Sequence, residues 1–146
     1  MGTLRRKEVL LPLLIIFVCL FVLSSGNIVA LYCNERGVRH LRSGDFAQAK
    51  RLFELAIRAD PDFQVAYYNL GLIYKLEDKL SKAMELFEKA LNIYPNFYMA
   101  RLDLAKILLE QGEYARAREV LKGVPLNSEF RDDVVTLLLQ IREASR

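Results

Sequence analysis

The chain is poor in the residues from which metal sites and disulfide frameworks are built. Its 146 residues include one histidine and two cysteines. Two cysteines cannot enclose a zinc ion by themselves, and His40 is not spaced to assist Cys19 and Cys33. We therefore expect no metal site and no cofactor.

An excess of basic charge is also lacking. The chain carries 21 Lys and Arg against 18 Asp and Glu, and residues 5–8 account for three of these cations and one of these anions. The rest of the chain is therefore nearly neutral. Proteins that bind nucleic acids concentrate positive charge to neutralise phosphates, so this balance predicts no nucleic-acid partner.

The longest hydrophobic run lies near the amino terminus, directly after three basic residues at positions 5–7. From Val9 to Leu23 it contains only apolar residues and Pro12. A helix of this length measures about 22 Å, whereas the hydrocarbon core of a bilayer is about 30 Å thick. If the helix continues to Leu31, its length becomes about 35 Å, which is enough to span the bilayer with some tilt.

Two interpretations of this segment follow. Small residues from Ser24 to Gly26 fit a cleavable signal peptide that is processed after Gly26, which would release a soluble secreted or periplasmic protein. We favour an uncleaved signal anchor because the apolar run resumes from Ile28 to Leu31. This interpretation predicts a basic flank at 1–8 and a transmembrane helix at 9–29, with membrane contact over 9–31.

The flanking charges predict the orientation of such an anchor. Arg5, Arg6 and Lys7 adjoin the apolar run, whereas Arg36 lies several residues beyond its other end. Because cytoplasmic flanks carry the excess of basic residues, the nearer cluster favours a cytoplasmic amino terminus. The remainder of this single-pass protein is then expected on the non-cytoplasmic side, periplasmic or extracellular.

Beyond residue 30 similar residues recur at a constant interval along the sequence. This interval equals the sequence separation of Gly37 and Gly71, and we call it the period. The recurring residues are Gly37 and Gly71; Ala49, Ala83 and Ala117; Phe53, Phe87 and Leu121; Pro61 and Pro95. Apolar residues follow helical spacing within each unit, and polar turns separate the two halves. A period of about 34 residues with this spacing predicts stacked helical hairpins.

The second unit resembles a tetratricopeptide repeat. Its matching residues are Tyr67 in the usual Trp place, then Leu70, Gly71, Tyr74, Ala83, Phe87, Ala90 and Pro95. The first unit departs from the family pattern at Cys33, Arg36 and His40, and the third ends early at Pro125. The resemblance implies an all-α, helical-hairpin solenoid preceded by the amino-terminal hydrophobic helix. It places repeats at 30–63, 64–97 and 98–125, the last truncated, and a capping helix at 126–146.

The capping helix is predicted from one amphipathic segment. Its apolar positions are Phe130, Val134, Leu137, Leu138 and Ile141, which fall on one helical face. A solenoid needs such a helix to cover its last hairpin.

In the family that the sequence resembles, the first helix of each hairpin lines a concave groove that receives a peptide or a helix. The corresponding positions are Asn34, Val38, Val65, Tyr68, Asn69, Leu72, Lys75, Met99, Leu102 and Lys106. A second interpretation stays open, in which Tyr68, Leu72 and Leu102 only pack between hairpins. One subgroup of this family binds the carboxyl-terminal carboxylate of chaperones with a set of Lys, Arg and Asn side chains. In this chain only Asn69 matches a residue of that set.

Catalytic constellations are not found. His40 occupies the repeat's Tyr position and Cys33 its Trp position, which predicts packing roles for both. We therefore expect a protein that is not an enzyme. The sequence predicts a membrane-associated adaptor or assembly factor that binds another protein, and the alternative is a soluble exported, chaperone-like binder.

Overall fold

The computed structural model describes residue 12 and residues 27–146. Within this part of the chain all regular structure is α-helical and no strand occurs. Residues 27–42 are helical and form the described part of α1. The helices that follow are α2 (Phe46–Ala59), α3 (Gln64–Leu76), α4 (Leu80–Ile93), α5 (Tyr98–Glu110), α6 (Tyr114–Lys122) and α7 (Arg131–Ala144).

The helices keep the period of the sequence. α5 begins one period after α3, and the starts of α2, α4 and α6 follow one another at the same interval. One backbone hydrogen bond recurs with them, from the N–H of residues 45, 79 and 113 to the carbonyl oxygen of residues 40, 74 and 108, at 2.9, 2.8 and 2.8 Å. Each pair of helices is therefore closed by the same turn.

This turn requires a left-handed backbone conformation at one residue. The φ angles are 81° at Gly44, 58° at Asp78 and 76° at Gly112. Glycine adopts positive φ without a steric penalty, whereas a residue with a Cβ atom does so at a cost. The second hairpin therefore places a strained residue where its neighbours place glycine.

Close approach of the two helices in a hairpin depends on a glycine facing an aromatic ring. A Cβ atom at Gly37 would lie 2.5 Å from the ring of Phe53, and one at Gly71 would lie 2.7 Å from the ring of Phe87. Both rings are fully buried. In the third hairpin the corresponding pair is Ala105 and Leu121, also buried. A larger residue on the first helix thus accompanies a smaller one on the second.

At the carboxyl end, α7 covers α5 and α6. Val134, Leu137 and Ile141 are buried there, and the ring of Phe130 meets that of Tyr98 edge-on at 6.1 Å. Leu138 differs from the expectation that it shares this buried face. It lies at the edge of the contact and keeps 36% of its surface exposed.

The predicted basic flank at 1–8 lies outside the described residues. So does the predicted transmembrane helix at 9–29, except for residues 12 and 27–29. In the part of the chain that the structure describes, no helix combines the length and the hydrophobicity that crossing a bilayer requires.

Candidate protein-binding groove

The first helices α1, α3 and α5 are joined by a side-chain hydrogen bond that recurs at each junction. Asn69 Nδ2 donates a hydrogen bond to Asn34 Oδ1 at 2.8 Å, which links α3 to α1. Tyr68 Oη donates to Asp103 Oδ2 at 2.8 Å, which links α3 to α5. The donor and acceptor positions are offset by 35 residues in both contacts. The same pair of repeat positions therefore aligns neighbouring hairpins twice.

Tyr68 is held as a neutral donor inside this junction. Its ring centroid lies 5.5 Å from that of Phe87 and 5.0 Å from that of Phe97, and only 7% of the residue is exposed. Burial raises the pKa of its hydroxyl far above the ordinary value, and the Asp103 carboxylate adds to the increase. The phenol therefore stays protonated at physiological pH.

Asp103 also accepts a second, cationic partner. Lys75 Nζ lies 2.9 Å from Asp103 Oδ1, so this carboxylate binds two of the predicted groove residues at once. Asp103 was not among the residues predicted from the sequence for the groove. The signal for it was present, because Asp103 follows the predicted Asn69 by one period.

Four of the predicted groove residues offer little surface to a partner. Tyr68 is 7% exposed and Leu102 is 5% exposed, and both belong to the core that surrounds Phe87. Asn34 and Asn69 are likewise mostly buried, with their amides paired to each other. These side chains support the surface from below.

The accessible side chains of the same helices form two rows across the junctions, which we call the groove rows. Their members recur once in each period: Leu31, Val65 and Met99 in the first row, and Val38, Leu72 and Lys106 in the second. Leu31 and Met99 are 52% and 44% exposed, and the other four side chains are half-buried. Leu31 was not predicted as a groove residue, because the sequence assigned it to the membrane-contacting stretch.

Charge is unevenly distributed along this surface. Lys75 is neutralised by Asp103, whereas Lys106 has no ion-pair partner among residues 27–146. A half-buried cation without a partner attracts an anion from outside the chain. The second row therefore offers two aliphatic side chains followed by one positive charge.

Other chemistry-bearing residues lie apart from these rows. His40 Nδ1 is 3.3 Å from Asp45 Oδ2 at the turn of the first hairpin, and the Cys33 thiol is buried beside Ala56 and Ala66. No group of three metal-ligating side chains comes together anywhere in residues 27–146.

Comparison of the fold with solved structures finds similar proteins. The TPR2B domain of yeast Sti1 in its complex with pHsp70 has a TM-score of 0.73 and 20% sequence identity, with coverage of 82% of this chain and 99% of that one. The first TPR of Spaghetti (RPAP3), bound to an HSP90 peptide, has a TM-score of 0.73 and 18% identity, with coverage of 82% and 94%. Yeast Tom70 has a TM-score of 0.70 and 26% identity. The match covers 80% of this chain but only 24% of Tom70.

Sequence comparisons identify the family. No curated protein sequence matches the chain. Two models of the tetratricopeptide repeat do match, one over residues 34–96 and the other over residues 75–141. Together they span all three hairpins and most of α7, and the chain therefore belongs to the tetratricopeptide repeat family.

Proposed function

We propose that this protein is a membrane-associated adaptor or assembly factor, and that it binds a peptide or a helix of another protein along the groove rows. The proposal depends chiefly on one observation, the two rows of accessible, mainly aliphatic side chains that cross α1, α3 and α5 with the period of the repeats. Apolar rows on a rigid helical surface suit burial of partner side chains. The protein contributes binding and no chemical step.

The partner's chemistry follows from the charges. Aliphatic or aromatic side chains would cover Val65, Leu72 and Met99, and a carboxylate would approach Lys106. Asp103 disfavours the binding of a partner whose chain end is rich in carboxylates, because the negative charge of Asp103 lies beside Lys75 at the middle of the surface. The TPR2B domain of Sti1 was solved in a complex with pHsp70 and Spaghetti was solved with an HSP90 peptide, which supports peptide binding by this fold. For this chain we propose a partner segment that is mainly apolar.

The membrane part of the proposal is supported by the sequence and by exposed residues. The run from Val9 to Leu23 contains no charged residue. Beyond residues 24–27, Ile28, Val29 and Tyr32 are 66%, 49% and 56% exposed on α1. Aliphatic residues with a tyrosine near a bilayer boundary are typical of membrane interfaces. We propose that residues 9–29 lie in the membrane, which leaves Leu31 accessible in the groove rows, with the repeats on the non-cytoplasmic side.

Substitutions to aspartate test the groove, with Leu55 as a control whose exposure matches that of Met99. Met99→Asp and Leu72→Asp place an unpaired charge in the groove rows, whereas Leu55→Asp does so on the outer face of α2, where Leu55 is 42% exposed. We expect the two groove variants to reduce co-purification of the partner at least about 10-fold, because an unpaired charge opposite an apolar surface costs more than about 1.4 kcal/mol. Leu55→Asp should behave as the wild type. Equal recovery of the partner by all three variants would move the binding surface elsewhere.

A soluble, exported chaperone-like binder is the second candidate, favoured by the small residues from Ser24 to Gly26. The two candidates differ in the fate of the amino terminus. An anchored protein stays in the membrane fraction after a high-salt wash. A cleaved protein is released and its amino-terminal sequence begins at Asn27.

A further inference from the structure

α7 continues the repeat register of the first helices. Val134 and Ile141 lie one period after Ala100 and Ile107, and all four side chains are buried. In α3 the corresponding residues, Ala66 and Ile73, are buried as well. α7 is thus the first helix of a fourth unit, and no second helix follows it within residues 27–146.

Within residues 27–146, specific positions of α7 are therefore uncovered. In the preceding units, these positions face the second helix of the same hairpin: Gly71 lies against Phe87, and Arg101 Nη1 donates to the carbonyl oxygen of Val120 at 3.3 Å. One period after Arg101 is Val135, and two periods after Gly71 is Leu139. Val135 is 41% exposed and Leu139 is 52% exposed.

Together with Leu138 these residues form an apolar stripe along α7, which we call the α7 stripe. Leu138 also lines a cleft of about 220 Å³ beside Leu126, which is 58% exposed. Three adjacent aliphatic side chains on the exposed side of α7 indicate a surface that is covered by another helix.

We propose that the α7 stripe pairs with the α7 stripe of a second copy of this chain, in antiparallel orientation. If the twofold axis of an antiparallel pair crosses α7 at the level of Leu137, Val135 of one copy lies opposite Leu139 of the other. The same register places Asp132 of one copy opposite Arg142 of the other, at both ends of the contact. Val135, Leu139, Asp132 and Arg142 are all exposed, and neither Asp132 nor Arg142 has an ion-pair partner within residues 27–146.

The shape of the stripe favours this occupant over a helix like the second helices of the first two hairpins. In the first two hairpins the second helix inserts a phenylalanine, Phe53 or Phe87, into the space above a glycine. At the corresponding place α7 carries Leu139, whose side chain fills that space. A helix that brings aliphatic side chains of similar size, arranged antiparallel as in each hairpin, matches the stripe, and α7 of a second copy is such a helix.

Charge reversal provides the test because the register pairs two oppositely charged residues. Full-length chains with two different affinity tags are purified in detergent, and mixed copies are recovered through one tag. The variants are Asp132→Arg, which places arginine opposite arginine, and Arg142→Asp, which places aspartate opposite aspartate. Each contact occurs twice in a pair, so we expect each variant alone to self-associate about 10-fold more weakly than the wild type. A mixture of the two variants restores both ion pairs and should recover wild-type association.

Two further variants separate pairing from folding. Leu139→Asp should abolish recovery of the second copy while it leaves the melting temperature within about 2 °C, because the side chain is exposed. Leu55→Asp on the outer face of α2 should change neither quantity. The proposal is overturned if the wild-type chain recovers no second copy, or if the two charge variants associate no better with each other than with themselves.

Discussion

The contact between Gly71 and Phe87 gives the sharpest prediction on how the hairpins pack. In Gly71→Ala the new Cβ atom would lie 2.7 and 2.9 Å from two carbons of the Phe87 ring, where about 3.5–4.0 Å is an ordinary contact. The ring is fully buried, so it cannot turn into solvent to avoid the new atom. Overpacking of this kind costs about 2 kcal/mol, and the replacement of glycine by alanine within a helix returns about 1 kcal/mol. We expect a net loss of about 1 kcal/mol in the free energy of unfolding.

The third hairpin shows what should relieve this clash. It combines Ala105 with Leu121, where the second combines Gly71 with Phe87. In a Phe87→Leu background, Gly71→Ala should therefore become stabilising by up to about 1 kcal/mol, since the ring is gone and the helix propensity remains. The two substitutions should show a coupling energy of about 2 kcal/mol.

Denaturant unfolding of the four chains, followed by far-ultraviolet circular dichroism, measures this cycle. Gly37→Ala with Phe53→Leu repeats it in the first hairpin, where the corresponding distance is 2.5 Å. If the two substitutions are additive in both hairpins, then the glycines are not required by the aromatic rings and this account of the packing is wrong.

Three further predictions concern the turn, the junction and the last helix. Asp78→Gly should raise the free energy of unfolding by about 0.5 kcal/mol in a thermal melt, because glycine removes the cost of a positive φ; a loss of stability would show that this aspartate is unstrained. The raised pKa of Tyr68 stabilises the fold below the ordinary tyrosine pKa of about 10, and this contribution is lost as the pH rises further towards the folded-state pKa. Tyr68→Phe should therefore reduce the fall in melting temperature above that pH, and an identical alkaline profile would refute the buried phenol. Removal of 126–146 should lower the free energy of unfolding by roughly 5 kcal/mol, because three buried side chains of α7 lose their contacts; an unchanged melting temperature would mean that α7 does not cover the last hairpin.

The sequence was sufficient to predict the arrangement of the hairpins. The pairs formed by Gly71 with Phe87 and by Gly37 with Phe53 recur with the period, and a glycine facing a large ring is a strong constraint on how two helices approach. Helix starts then follow at the same interval, which is why the periodicity alone indicated the order of the helices.

The surface toward which each side chain points was harder to predict. Successive side chains on a helix point in directions about 100° apart. The side of a first helix that faces the groove and the side that faces the neighbouring hairpin are separated by less than that angle. For Tyr68 and Leu102 the sequence therefore left two roles open, groove lining and packing between hairpins, and both side chains are mostly buried. Leu138 was predicted for the buried face of α7, although it lies at its edge. Asp103 was missed because its role depends on two partners, Tyr68 and Lys75, that come from another helix.

Site-specific photo-crosslinking in the native membrane tests the central claim, that this protein binds its partner along the first helices. A photoreactive residue at Met99 lies in the groove rows, and one at Leu55 lies on the outer face of α2 with nearly equal exposure, 44% against 42%. We predict that Met99 gives a crosslink to a partner protein and that Leu55 does not. A crosslink to the same partner from Leu55 alone would contradict the proposed groove.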